Sequence, residues 1–152
     1  MEALKSRPFE VNLNLEEGYE FTFDTPDVDT YLSLRKTVGL GLKNKEAAAI
    51  GLKNTIFAVQ VKFNGKTIGF TRIVGDGGLW YMLVDTCILP EYQGKGIGDK
   101  MLAKAMQRFY TSCPPGAYLQ TVTKKYLESY GRKVGLKPIE DHELTMYAWQ
   151  PI

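Results

Sequence analysis

LWYMLVDTCILP (79–90), EYQGKGIGDK (91–100) and MLAKAMQRFY (101–110) follow one another directly, and how they are read decides the fold. The first block is an apolar run of strand length. Both of its faces carry apolar groups, as in a strand covered on both sides. From Ile97 onward, Met101, Leu102, Ala105, Met106 and Phe109 recur at helical spacing. Between strand and helix lies a glycine-rich turn, Gln93-Gly94-Lys95-Gly96-Ile97-Gly98. A strand, a bare loop and a helix N-terminus in that order make an anion cradle. The first helical amides have no intrahelical acceptor, and the helix dipole favours negative charge there. Glycine lets the backbone turn and approach a phosphate without a Cβ clash.

Working outward, the segment before this stretch has period two. Residues 56–63 and 67–74 read as strands joined by Asn64-Gly65, a strong tight-turn pair. Gly75-Asp76-Gly77-Gly78 is a second turn, so 55–89 is a three-stranded antiparallel meander. Further upstream, Val11, Leu13 and Leu15 alternate, as do Tyr19, Phe21 and Phe23, which predicts two short strands around Glu16-Glu17-Gly18. Asp24-Thr25-Pro26-Asp27 reads as a helix start, with the helix running to about Val38. GLKN occurs at 41–44 and 51–54, too little for a repeat architecture, and Glu46 to Ile50 favours a short helix between the copies. Downstream, Cys113-Pro114-Pro115-Gly116 forces a loop. Residues 117–122 read as a strand, 123–134 as a helix and 144–149 as a closing strand. The expected fold is α+β: a central mixed, mostly antiparallel sheet flanked by helices. Its 152 residues are expected to form a single domain spanning 1–152, with 1–18 an N-terminal extension or strand.

Composition narrows the function classes. A formal net charge of +2 gives no reason to expect nucleic acid, and no apolar span is long enough for a membrane. Two cysteines make no disulfide framework, and the one histidine, His142, argues against a metal centre or a Ser-His triad. A reducing cytoplasm is the expected compartment. The glycines at 94, 96 and 98 fit neither GxxxxGK followed by Ser or Thr nor GxGxxG.

The run Ile88-Leu89-Pro90-Glu91-Tyr92-Gln93-Gly94-Lys95-Gly96-Ile97-Gly98 closely resembles motif A of the GCN5-related N-acetyltransferases (GNAT), in which Gln/Arg-x-x-Gly-x-Gly/Ala follows an apolar strand and a proline. The meander before it and the strand, helix and Gly135-Leu136 after it are also similar, so the likeness covers roughly residues 19–150. The resemblance implies a GNAT-like fold with acetyl-coenzyme A as co-substrate, and no metal is expected from the residues. It implies that the amides of Gln93, Gly94, Lys95, Gly96, Ile97 and Gly98 hold the pyrophosphate. The strand end at Cys87, Ile88 and Leu89 would hydrogen-bond the pantetheine arm where the strands splay. A main-chain N–H near Ile88 would face the developing oxyanion.

A proton must also leave the attacking amine. Asp85, an acid inside an apolar strand, is the candidate base, because an unpaired buried carboxylate is costly. An ion pair to Arg72 or a lysine, or exposure in a cleft, are the alternatives. The family often carries a tyrosine four residues before a terminal Gly-Phe to protonate the departing thiolate. That position here is Gly131, and its neighbour Tyr130 is the candidate acid, with core packing as the alternative. Tyr31, Arg35, Arg72, Asp76, Trp80 and Tyr81 are candidate walls for the acceptor. The expected activity is acetyl transfer to a primary amine, with a small molecule as the partner and a homodimer left open. A non-catalytic acetyl-coenzyme A-binding regulator and a protein or peptide N-acetyltransferase are the alternatives.

Overall fold

The computed structural model describes residues 11–138. The elements are β1 (Tyr19–Thr22), α1 (Val28–Thr37), α2 (Lys45–Lys53), β2 (Phe57–Phe63), β3 (Lys66–Gly75), β4 (Trp80–Ile88), α3 (Ile97–Ser112), β5 (Tyr118–Gln120) and α4 (Glu128–Lys133). Short 3-10 turns occupy Pro90–Tyr92 and Lys125–Leu127. The strands form one sheet in the order β1-β2-β3-β4-β5. Its first four strands are antiparallel, and β5 joins β4 in parallel. This is the expected α+β architecture with a mixed sheet.

Strand alternation sorts the side chains into two layers. Ile73, Leu83 and Tyr81 lie on the face covered by α3, where Tyr81 meets Phe109 at 5.5 Å between ring centroids. Phe70, Arg72 and their cross-strand partners Cys87 and Val84 lie on the face covered by α1 and α2, where Phe70 meets Tyr31 at 6.1 Å. Met101, Ala103, Ala105 and Met106 are buried from α3, and Tyr31 and Leu34 from α1. Burying side chains as large as those of Met101, Met106 and Leu34 stabilises the fold by roughly 1.5–3 kcal/mol each before entropy is counted.

The β2–β3 turn is Asn64-Gly65, with φ of +48° and +79°, as a two-residue hairpin turn requires. The β3–β4 turn is organised by Asp76, whose Oδ1 accepts from the amides of Gly78, Leu79 and Trp80. Both were legible in the sequence. Residues 11–15 do not form the expected strand. Asn12 instead accepts from the amide of Asn14, and Lys100 donates to the Asn14 carbonyl, so local polar contacts take the place of a ladder. Val11 and Leu13 still pack on the core.

Helix α1 starts three residues later than expected. Asp27, not Asp24, is its N-cap and accepts from Thr30 N at 2.9 Å, while Asp24 accepts from Gln60 Nε2 at 3.0 Å. Helix α2 is capped by Asn44 at one end and Asn54 at the other, which accounts for the two GLKN copies as helix-end chemistry. The expected strand 117–122 shortens to Tyr118–Gln120. The expected helix 123–134 becomes a 3-10 turn and the six-residue α4, with Gly131 inside it. His142 and the expected strand 144–149 lie outside the described residues.

Candidate active site

Strand β5 accompanies β4 only from Trp80 to Met82. Thr121 Oγ1 then donates to the Leu83 carbonyl at 2.9 Å, and among the described residues no strand pairs with that edge of β4 from Val84 to Ile88. The other edge stays on β3 to its end, where Leu89 N donates to Ile68 O at 2.8 Å. Ladder alternation then turns Cys87 and Leu89 towards β3 and the Ile88 N–H and C=O into the gap. The Ile88 carbonyl accepts from Gln93 Nε2 at 2.8 Å, which fixes the corner between strand and glycine-rich loop. The Cys87 side chain is buried on the α1 face, and burial pushes its thiol up to about 11, so it is neutral at ordinary pH.

The loop itself carries no side-chain cap. Gly94 and Gly96 have φ of +75° and +72°, and Gly96 is the N-cap of α3. A Cβ at either would meet nothing within 4 Å, so backbone conformation rather than crowding calls for glycine there. The first intrahelical bond runs from Lys100 N to Gly96 O, which leaves the amides of Ile97, Gly98 and Asp99 without intrahelical acceptors. A Cβ at Gly98 would lie 3.7 Å from Ile88 Cγ1, so loop and strand end are in contact at this point. Lys95 holds its ammonium 5.5 Å from the centre of the Tyr92 ring.

Asp85 sits on a β-bulge. The register passes from Phe70↔Cys87 to Arg72↔Val84, so Asp85 and Thr86 oppose Thr71 alone. Its φ is +60°, a conformation Asp tolerates better than most residues. The carboxylate is aimed at the α1–α2 face. One oxygen pairs with Arg35 Nη1, and the other accepts from Arg72 Nε at 2.7 Å and Tyr31 OH at 3.1 Å. The ion-pair alternative raised from the sequence is therefore the geometry observed, with Arg35 as a partner that sequence spacing did not suggest. Burial, and next the Asp85 charge, push the Tyr31 hydroxyl up, so it stays a donor. Arg35 also donates to the carbonyls of Leu40 and Gly41, and Arg72 to Gly51 O at 2.8 Å and Thr55 Oγ1 at 3.2 Å.

Of the other expected wall residues, Trp80 is exposed on the α1–α2 face, its ring 5.1 Å from Tyr118. Tyr81 is not on that wall. Alternation along β4 buries it against α3, where a hydrogen bond with Cys113, and then burial, push its hydroxyl up to about 12. Tyr130 is 45 % exposed, so the core-packing alternative does not hold for it. Its ring lies 5.1 Å from Lys133 Nζ, which bonds Asp99 Oδ2 at 2.7 Å in the first turn of α3. Tyr130 thus stands beside the start of α3. The Asp99 hydrogen bond raises the Lys133 pKa, keeping that ammonium charged. The chain folds back on α4 at Gly131, whose carbonyl accepts from Leu136 N at 3.0 Å; a Cβ there would make ordinary contact with that of Leu136 at 3.4 Å.

An acetyltransferase (GNAT) domain model matches residues 53–132. A Gibberella zeae protein described as an acetyltransferase is 26% identical over 121 residues, which span 79% of this chain and 67% of that protein. A Staphylococcus aureus protein of unknown function, described as a probable acetyltransferase, superposes with a TM-score of 0.80 at 29% identity, covering 87% of this chain and 99% of that one. A GNAT-family acetyltransferase from Streptococcus pneumoniae superposes with a TM-score of 0.71 at 21% identity over 88% and 98% of the two chains, a likeness of fold.

Proposed function

This chain belongs to the acetyltransferase (GNAT) domain family, and on that premise we propose that it moves an acetyl group from acetyl-coenzyme A to the primary amine of a small molecule. The observation that carries the proposal is a meeting of two features at one corner. The uncapped amides from Gly94 to Gly98 adjoin the unpaired edge of β4, where Ile88 turns its N–H into the gap. The first feature suits a diphosphate and the second an amide-bearing arm that can take the place of a strand.

The chain's own contribution is then mainly orientation. Gly94, Lys95, Gly96, Ile97 and Gly98 bind the diphosphate through main-chain amides, while Gln93, whose own amide donates to the Pro90 carbonyl at 3.1 Å, holds the corner through its side chain. Ile88 offers its N–H to the thioester oxygen as negative charge develops there. Cys87 and Leu89 act by holding Ile88 in register with β3. The amine attacks in its neutral form. Both oxygens of Asp85 already accept from charged or phenolic donors, so we assign the departing proton to water in the open splay. The leaving thiolate, of pKa ~8.5, departs with or without help from Tyr130. Residues 1–152 act as one domain, and a reducing cytoplasm suits two unpaired thiols.

The test is thiol release from acetyl-coenzyme A over a panel of small primary amines and peptides. Release with at least one small amine, faster than with peptides, is expected. Tight coenzyme A binding with no release from any acceptor would instead support a regulator, and a preference for peptides would support a protein acetyltransferase.

A further inference from the structure

Arg35, Arg72 and Asp85 keep charged side chains only 8 %, 14 % and 8 % exposed, and no chemical step above uses them. Two cations on one anion form an arrangement that folding stability alone rarely favours over apolar packing. What the three hold together is specific. Arg35 leaves α1 and reaches the carbonyls of Leu40 and Gly41 in the segment that follows it. Arg72 leaves β3 and reaches Gly51 in α2 and Thr55 after it. Tyr31 lies under both, its ring centre 5.6 and 5.9 Å from the two guanidinium carbons. Arg35, Arg72 and Tyr31 all meet at one carboxylate on the β4 bulge, two residues before Cys87 and three before Ile88. The segment from Leu40 to Thr55 and the strand that ends at Ile88 thus share one anchor.

We infer that Asp85 is a positioning residue that couples donor seating on β4 to the set of residues 38–55, the segment that Arg35 and Arg72 hold. This deepens the proposed function and rests on it. The left-handed backbone at Asp85 is held against its own preference by the surrounding contacts. A ligand strand laid on the free edge of β4 adds to those contacts and fixes the carboxylate. A fixed carboxylate orients two planar guanidinium forks, and their remaining N–H groups orient the carbonyls of both helix ends. By linkage, an ordered 38–55 segment strengthens donor binding in return.

Amide exchange with and without saturating coenzyme A tests this in the wild-type chain, Asp85→Asn and Arg35→Lys. Asparagine tolerates the same φ, removes the charge and replaces one of the two accepting oxygens with a donor. In the wild type, coenzyme A is expected to slow exchange over 38–55 by about fivefold or more, the low end of ordinary coupling. In Asp85→Asn that slowing is lost, while the slowing at 84–98 remains. In Arg35→Lys it is lost at 38–44 and kept at 51–55, a split that general loosening would not give. Should Asp85→Asn fail to fold, Arg35→Lys decides alone. Slowing at 84–98 with no change over 38–55 in the wild type, or full slowing in both variants, overturns the inference and leaves the proposed function standing. No coenzyme A effect anywhere in the wild type overturns both.

Discussion

Single atoms decide several features of this site. Gly69 faces Ile88 across the ladder, and a Cβ there would lie 2.2 Å from Ile88 Cδ1 and 3.0 Å from the Cys87 carbonyl. Gly69→Ala is therefore expected to destabilise the chain by roughly 1–3 kcal/mol through overpacking. It should also weaken coenzyme A binding by moving Ile88, and urea unfolding with calorimetry checks both. Cys87 gives a pH signature. Its thiol is held neutral in the fold up to about 11, against 9.0 for the free group. Above pH 9 the unfolded chain binds fewer protons at this position than the native one, so its contribution to stability falls as pH rises towards 11. Cys87→Ala should remove up to about 2–3 kcal/mol of that alkaline loss, measured by unfolding midpoints across the range. Tyr130→Phe should slow turnover by less than about tenfold, because thiolate departure near neutral pH has only about 2 kcal/mol at stake. A larger loss at unchanged stability would make Tyr130 the acid. The sequence marked Asp85 as anomalous, a carboxylate in an apolar strand. It could not supply the partners, because Arg35 lies 50 positions away and linear spacing carries no distance of that kind.

Helix α3 is the element the site depends on, and it was the most legible. Its apolar spacing, its glycine N-terminus and the strand before it are all local patterns, and local patterns survive folding. Gly96→Glu places a side chain at φ +72° and a negative charge among the uncapped amides. Coenzyme A affinity in calorimetry should fall by at least about tenfold, while an unchanged affinity would remove the cradle assignment. Helix α4 is the opposite case. At six residues it cannot hold itself together, and glycine inside it weakens it further. It depends on docking, through fully buried Val134, the Tyr110 hydroxyl on the Val134 carbonyl and Lys133 on Asp99. Periodicity over-extended this helix because Tyr126, Leu127 and Tyr130 fit a helical stripe, although Tyr126 and Tyr130 are exposed. Val134→Ala should cost about 1.5–3 kcal/mol and raise amide exchange over 125–136 before the rest of the chain.

At the scale of the whole molecule, function follows from a sheet that parts. Four antiparallel strands lie between two helix layers, and β5 leaves β4 after Met82. Hairpin turns and the meander made most of this sheet readable in advance. The parting was expected from the family resemblance alone, because it depends on how few residues of β5 find a partner, which no local pattern states. The bulge was not readable: one extra residue turns every later side chain to the other face, but this strand carries apolar groups on both faces, so no break in alternation shows. The claim beneath everything else is that the bare amides before α3 hold a diphosphate and thereby lay the thioester along the open edge of β4. A crystal structure of the chain with coenzyme A tests it most directly. Diphosphate oxygens within about 3 Å of amides between Gln93 and Gly98, with the thiol beside Ile88, are the predicted result. Coenzyme A bound with its diphosphate anywhere else would contradict it.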